Sequence, residues 1–198
     1  MLSIRNNVFN EFYINKSRFI TFLYCVDSLD DVKTCINDLK LKYKDATHIC
    51  FAYIIDSVMR FSDDGEPSGT AGMPILNVLQ SKNLDHVLCC VVRYFGGIKL
   101  GANGLVRAYS SSCSECVDLA EVVCLIPGKR CLFSFDYSNT KIVDSLLKDC
   151  FIINKNYDSF ITYEFKVDCD SLSCIENELF KYGNLSIIDD CFVELKNW

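Results

Sequence analysis

The residues most suited to chemistry in this sequence lie in one segment, Arg93 to Ser110, which reads RYFGGIKLGANGLVRAYS. It follows an apolar run, Val87 to Val92, that predicts a buried strand, and it leads into a helical pattern from about Gly104 to Val123. Its glycines are Gly96, Gly97, Gly101 and Gly104, and its cations are Arg93, Lys99 and Arg107. Glycines allow close backbone approach, and the free N–H groups and dipole of a helix N-terminus favour an anion. The segment therefore predicts a site for a phosphate-bearing partner.

This glycine-rich loop does not match the standard nucleotide-binding motifs. Gly96 and Gly101 have the spacing of the two P-loop glycines, but Ala102 and Asn103 follow where a P-loop needs Lys and Ser or Thr. The sequence also has no GxGxxG pattern. Neither a Walker NTPase nor a dinucleotide-binding fold is predicted.

A second glycine-containing segment, Ser62 to Pro74 (SDDGEPSGTAGMP), forms the acidic loop, which carries Asp63, Asp64 and Glu66. Pro74 suits the first turn of a helix that runs to about Ser81. Three carboxylates could hold Mg²⁺ or act as acid and base, but Asp-Gly and Pro are also ordinary turn formers. Both interpretations stay open, and we expect the two loops to converge on a single pocket.

Histidine and cysteine offer weaker candidates. His48 and Cys50 share one face of a predicted strand, but no spacing supplies the two further ligands of a zinc site. Cys113 and Cys116 form a CxxC, yet they lie beyond the start of the helix, where the dipole would not lower a thiol pKa. Core packing is the simpler interpretation for these cysteines, and no metal or cofactor is predicted.

Composition limits the class of protein. The 198 residues carry a formal charge of −6, which argues against a protein that coats nucleic acid by bulk attraction. The thirteen cysteines are odd in number and mostly beside apolar neighbours, which is typical of a reduced interior. With no signal-peptide pattern and no apolar run of membrane-spanning length, the sequence predicts a soluble cytoplasmic protein that does not bind membranes.

Hydrophobic periodicity predicts an α+β protein of two domains, residues 1–126 and 129–198. In the first, the predicted elements are strands Val8 to Ile14 and Arg18 to Val26, a helix from Ser28 to about Tyr43, strands Thr47 to Ile55 and Val58 to Phe61, and then the elements around the two loops. Residues 126 to 129 predict a linker. The second domain has a βαββαβ order, which is the ferredoxin-like arrangement.

The stretches SDDGEPSGTAG and RYFGGIKLGANGLVRAY closely resemble the signature of the IMPACT/YigZ family, and DATHICFAY resembles its preceding strand motif. With Lys16 to Phe19, the resemblance spans the first domain. It implies a mixed α/β fold like the second domain of a small-subunit ribosomal protein. By length and element order, the second half is similar to the C-terminal domain of bacterial members, itself like a domain of elongation factor G. The sequence departs from the family at Asn103, where many relatives have glycine.

The resemblance implies an association with translation. Eukaryotic relatives restrain a starvation-activated kinase pathway that controls initiation, and for bacterial members RNA or ribosome binding has been proposed from the fold. We therefore expect a non-catalytic factor that binds RNA or the ribosome, with a protein of the translation machinery as a further possible partner. The expected phosphate- or RNA-binding residues are Arg93, Gly96, Gly97, Lys99, Gly101, Gly104 and Arg107, with Arg18 or Lys16 extending the patch. Tyr94, Phe95 or Tyr109 could stack a base, but core packing is the simpler interpretation for each of these rings.

Two alternatives use the acidic loop differently. In one, Asp63, Asp64 and Glu66 hold a divalent ion beside the basic loop, and the protein is an enzyme acting on a phosphorylated small molecule or nucleotide. In the other, the same carboxylates form a docking surface for basic ribosomal proteins.

Overall fold

The computed structural model describes residues 1–56 and 58–195, and it has the α+β architecture that the sequence predicts. The chain divides into two compact units, Met1–Val123 and Cys124–Trp198. None of the helices in the described part of the chain is both long and apolar enough to cross a membrane.

The first unit is built from strands and helices that follow the predicted order. Its elements are β1 (Leu2–Ile4), β2 (Val8–Ile14), β3 (Ser17–Cys25), α1 (Leu29–Lys42), β4 (His48–Ile55), β5 (Val58–Ser62), α2 (Gly72–Ser81), β6 (Val87–Tyr94) and α3 (Gly101–Asp118). β1 is too short for periodicity to reveal it. The helix predicted from Gly104 to Val123 begins earlier and ends earlier, because Val122 already starts a strand.

An antiparallel sheet in the order β2-β3-β6-β4-β5 forms the centre of this unit. Helices α2 and α3 pack on one face and α1 on the other. The central strand β6 is buried on both faces, which explains its unbroken apolar sequence. Successive side chains alternate between the faces, so Val87, Cys89, Val91 and Arg93 all point towards α2 and α3. A cation thus stands at the end of a core-facing row.

Helix α1 shows how local sequence sets an element. Ser28 has extended backbone angles and its hydroxyl accepts a hydrogen bond from the Asp31 N–H, as an N-cap does. The Asp31 carboxylate in turn accepts from the Asp27 N–H, and Lys40 and Lys42 lie in the last turn, where they complement the helix dipole. Val32 and Leu39 are the buried residues of this helix, and they place it against the sheet.

The second unit contains β7 (Val122–Phe135), α4 (Thr140–Leu146), β8 (Phe151–Tyr157), β9 (Ile161–Asp168), α5 (Cys169–Leu179) and β10 (Gly183–Glu194). Its strands pair antiparallel in the order β10-β7-β9-β8, as a ferredoxin-like βαββαβ unit requires. The stretch predicted as a linker, 126 to 129, lies inside β7. Pro127 and Gly128 misled the prediction, because Pro127 pairs with Phe192 and Gly128 is packed against Val167 within the sheet.

Candidate functional site

The two loops of interest meet at the end of the first sheet where β6 stops and β4 starts. The cross-strand register places Phe19, Arg93 and His48 side by side on the face covered by α2 and α3. Phe12 extends the row on β2, where its ring stacks on Phe19 with centroids 5.3 Å apart. At this end of the sheet, the face covered by α2 and α3 therefore carries a row of side chains with two aromatic rings on one side and Arg93 near its centre.

Glu66 of the acidic loop packs against this row of side chains and binds Arg93. Arg93 donates from Nη1 to Glu66 Oε1 at 2.5 Å, and Tyr109 of α3 donates to the same oxygen at 2.8 Å. Burial raises the pKa of Tyr109 well above its usual range, so the hydroxyl stays protonated and available as a donor. The Arg93 guanidinium also lies 5.4 Å from the Phe19 ring centroid and 5.6 Å from that of Phe95. The acidic loop, β6 and α3 are thus joined from the inside.

This placement changes the role expected for Arg93. Its side chain is only 5% exposed and its partner Glu66 only 4%, so the guanidinium does not lie on the surface as a phosphate ligand would. A direct contact with phosphate would require the ion pair to open. Breaking a buried pair is costly because a charge is left without its partner. Arg93 is therefore placed to position the two loops rather than to contact a phosphate directly.

The other two acidic residues are hydrogen-bonded within their own loop. The Asp63 carboxylate accepts from the backbone N–H groups of Gly69 at 2.8 Å, Ala71 at 3.0 Å and Gly72 at 2.8 Å. It occupies the N-terminus of α2, where the helix dipole favours negative charge. The Asp64 carboxylate accepts from the Ile49 N–H at 2.6 Å. Both carboxylates thus serve to fold the acidic loop.

These contacts bear on the metal-dependent alternative. All three carboxylates, those of Asp63, Asp64 and Glu66, accept hydrogen bonds from the protein itself. Across residues 1–56 and 58–195, no group of three or more His, Cys, Asp or Glu side chains is arranged to hold a metal ion. The carboxylates of Asp63, Asp64 and Glu66 therefore contribute to the folding of the acidic loop and its attachment to β4, β6 and α3.

Residues of strand β4 form hydrogen bonds with the backbone of the acidic loop. His48 Nδ1 lies 2.8 Å from the Asp64 carbonyl oxygen, and since a carbonyl can only accept, Nδ1 carries the proton. The other ring nitrogen, Nε2, lies 4.0 Å from Glu66 Oε2. The Cys50 thiol donates to the Asp63 carbonyl at 3.0 Å, and burial raises the pKa of this thiol to about 12, so it remains a donor. His48 is thus a strand histidine that is hydrogen-bonded to the acidic loop.

The glycine-rich loop is attached to its neighbours by two hydroxyls that the sequence did not single out. Phe95 N donates to Thr47 Oγ1 at 3.0 Å, and Gly96 N donates to Ser17 Oγ at 3.2 Å. A Cβ on Gly96 would come 2.0 Å from the Lys16 carbonyl carbon, so only glycine fits against the β2–β3 hairpin. The start of the loop is therefore fixed.

The remainder of the loop faces outward. Gly97 and Gly101 have φ of +86° and +71°, and no atom lies within 4 Å of where a Cβ would be. Helix α3 begins at Gly101, and its N-cap residue Leu100 provides no side-chain cap, so in the described part of the chain the first backbone N–H groups are not capped by that residue. Lys99 and Arg107 are exposed, and within the described residues neither forms an ion pair. Gly104 lies in the first turn of the helix rather than before it.

Arg18, another predicted contributor, has an internal partner. Arg18 donates to both Glu11 carboxylate oxygens, at 2.8 and 2.9 Å, and its guanidinium lies 5.7 Å from the Tyr94 ring centroid. Cys113 and Cys116 are fully buried in the core beneath α3, which confirms that they pack rather than form a surface redox pair. Lys16 is exposed at the tip of the β2–β3 hairpin, next to Gly96.

Comparison with known proteins places these loops in a family context. Residues 15–117 match the model of the Impact N-terminal domain. The chain is 49% identical over 109 residues to IMPACT family member YvyE of Bacillus subtilis, covering 54% of this chain and 50% of that protein. It is 31% identical over 184 residues to IMPACT family member YigZ of Escherichia coli, covering 88% and 90%. A crystal structure described only as that of a hypothetical protein superposes with a TM-score of 0.67 at 29% identity, covering 95% of this chain and 97% of that one.

The alignment thus spans about half the length of the Bacillus relative but nine-tenths of the Escherichia relative. The domain match includes both loops, and the longer match extends into the second unit.

Proposed function

The chain belongs to the IMPACT family, and we propose that it is a cytoplasmic, non-catalytic factor that influences translation by binding RNA or the ribosome. The association with translation rests on the family resemblance. The mode of binding rests on the geometry of the glycine-rich loop. Fold likeness alone would be a weak argument for function, so the loop has to carry the proposal.

One observation supports binding of phosphate groups most directly: the loop exposes cations while its neighbouring carboxylates are bonded internally. Lys99 precedes the uncapped start of α3, Arg107 lies in its second turn, and Gly97 and Gly101 leave open space beside the backbone. An anion there would meet backbone N–H groups, the positive end of the helix dipole and exposed cations. Phosphate groups of RNA carry the charge that this arrangement favours.

In this proposal the residues divide into two groups. Lys99, Arg107 and the backbone around Gly101 contact the phosphates. Arg93 and Glu66 hold the loops in place from below, as their buried hydrogen bond allows.

The test is RNA binding by the full chain at several salt concentrations, measured by fluorescence anisotropy and by co-sedimentation with ribosomes. The double variant Lys99→Ala/Arg107→Ala removes two exposed cations, so the slope of log K against log[salt] should fall by about 1.4 if two single-strand phosphates are contacted. Lys148→Ala, an exposed lysine of the second unit, is the matched control and should leave the slope unchanged. Wild-type affinity and slope in the double variant would refute the loop as the binding site.

A further inference from the structure

One face of the first sheet is only partly covered. Helix α1 packs over β4 and the central strand and reaches Phe22 and Tyr24 of β3, while the side chains of edge strand β2 on the same face are exposed. Phe9 and Tyr13 on β2 are 69% and 65% exposed, and Phe9 is the most exposed large hydrophobic side chain among the described residues. Rings held this far into solvent contribute little to folding, and where several of them adjoin, they form a candidate contact surface.

The exposed rings belong to ordered rows of side chains. In one row, the register places Tyr13, Arg18 and Tyr94 next to each other across three strands. Four residues further along β2, Phe9 lies opposite Phe22, with ring centroids 6.2 Å apart and stacked. We call Phe9, Tyr13, Arg18, Phe22 and Tyr94 the aromatic face.

The two rows can hold separate planar groups. Phe9 and Tyr13 are separated by roughly 13 Å along the strand, given a rise of about 3.3 Å per residue. The Arg18 guanidinium already lies over the Tyr94 ring, which shows that this ring offers its π-face to a planar cation. The same surfaces suit the flat rings of nucleobases.

The aromatic face carries charges of both signs, and its edge includes exposed cations. Glu11 accepts both hydrogen bonds of Arg18, which lowers the pKa of Glu11, and Asp45 accepts from the Tyr94 hydroxyl. By contrast, Lys16 and Lys44 are exposed and form no ion pair with any residue in the described part of the chain. Phosphates passing the edge of the aromatic face would therefore meet cations, while bases would meet rings.

The aromatic face is continuous with the glycine-rich loop. Arg18 and Tyr94 lie at the ends of strands that lead directly into Ser17 and Phe95. Ser17 holds the Gly96 N–H, and the Lys16 backbone packs against Gly96. A strand of RNA whose phosphates lie on the loop would reach the aromatic face across this hairpin.

We propose that the aromatic face binds unpaired bases of single-stranded RNA by stacking, next to the phosphates held by the glycine-rich loop. The inference rests on the proposed function and narrows its ligand from RNA in general to single strands. In duplex RNA the bases are paired and stacked on one another, so their faces are not available to side chains. Stacking also tolerates many sequences, since every base has a π-face.

The experiment compares labelled single-stranded and duplex RNA of equal length on the full chain. In Phe9→Leu and Tyr13→Leu an apolar side chain remains but the aromatic ring is lost. Each should weaken single-strand binding by about fivefold or more and leave the salt slope unchanged, because no charge is removed. Phe9→Trp should keep wild-type affinity. Tyr157→Leu and Phe160→Leu, exposed rings of the second unit, serve as matched controls and should bind like wild type.

The outcomes separate this inference from the proposed function. Loss in the ring variants with no effect of Lys99→Ala/Arg107→Ala would support the aromatic face and refute the loop, and the reverse pattern would refute the aromatic face alone. The inference would be overturned if the wild-type protein bound single-stranded and duplex RNA with equal affinity, or if it bound no RNA. Ribosome association that falls in Phe9→Ala and Tyr13→Ala but survives in Phe9→Leu and Tyr13→Leu, at unchanged RNA affinity, would identify an apolar protein partner and likewise overturn the inference.

Discussion

The buried pair of Glu66 and Arg93 should behave as a unit from which neither member can be removed alone. Both side chains are almost entirely out of solvent, and they share a 2.5 Å hydrogen bond. In Glu66→Gln the side chain keeps its shape and can still accept from Tyr109, but Arg93 loses its counter-charge. In Arg93→Met the opposite charge is stranded.

The magnitude follows from this burial. Removing one partner of a buried ion pair costs about 3–5 kcal/mol, because the remaining charge is neither solvated nor paired. The rings of Phe19 and Phe95 lie against Arg93 and retain part of its stabilisation, which places Glu66→Gln near the lower end, at about 3 kcal/mol. The double variant Glu66→Gln/Arg93→Met leaves no charge behind. A coupling energy on the order of 2–3 kcal/mol is therefore expected.

Hydrogen exchange of the β6 amides in the full chain, followed by mass spectrometry, reports the opening free energy of the first unit independently of the second. The matched control is the Asp30–Lys33 pair on α1, whose side chains are 88% and 72% exposed. Its double-mutant cycle should give a coupling energy that is zero within experimental error. If the Glu66–Arg93 cycle gave a coupling as small as the control, the pair would not hold the loops together. The assignment of Arg93 as a positioning residue would then be wrong.

Three further predictions concern the loops and the core. Gly96→Ala should displace the loop and abolish tight RNA binding, because the new Cβ would overlap the Lys16 backbone, whereas Gly97→Ala, in open space but at positive φ, should cost only about 1–2 kcal/mol of stability. Thermal unfolding and RNA titration distinguish the two variants, and equal behaviour would contradict the packing argument. Asp63→Ala should destabilise the first unit by about 2 kcal/mol, because three backbone N–H groups at and just before the start of α2 lose their acceptor. Urea unfolding measures the loss of stability, and Asp38→Ala, at an exposed position, should cause no such loss. Thiol labelling at neutral pH should modify exposed Cys169 and Cys174 quickly, whereas Cys50, whose pKa is raised by burial to about 12, should react only when the first unit opens. Peptide mass spectrometry after timed labelling measures the order of reaction, and equal rates would show that the Cys50 thiol is accessible.

Much of the fold was predictable because the signals were local. β2 has the predicted bounds, and Ser28 begins α1 as its capping pattern with Asp31 indicates. The errors came from residues that usually break structure. Pro127 and Gly128 lie inside β7, where pairing with β10 and close packing on β9 outweigh their turn preference.

The site was predictable in position but not in the roles of its side chains. Sequence pattern identified both loops, yet it could not show that Glu66 turns inward, because burial of a carboxylate depends on a partner distant in the chain. One signal was available: in β6 the alternation that puts Val91 on the core face also puts Arg93 there, and a core-facing cation requires a buried counter-charge. The anchoring hydroxyls of Thr47 and Ser17 had no comparable signal, since their acceptor geometry exists only after the strands pair.

A formal charge of −6 and a site for phosphate are compatible because the sign of a surface depends on which charges are bonded inside. Near the glycine-rich loop, Asp63 and Glu66 are bonded to groups of their own domain, while Lys99 and Arg107 are not. So few cations would release few counterions, which predicts a shallow salt dependence and little affinity from charge alone. Tight binding would then have to draw on contacts other than phosphate, and exposed Phe9 and Tyr13 beside the same hairpin are the groups able to supply them.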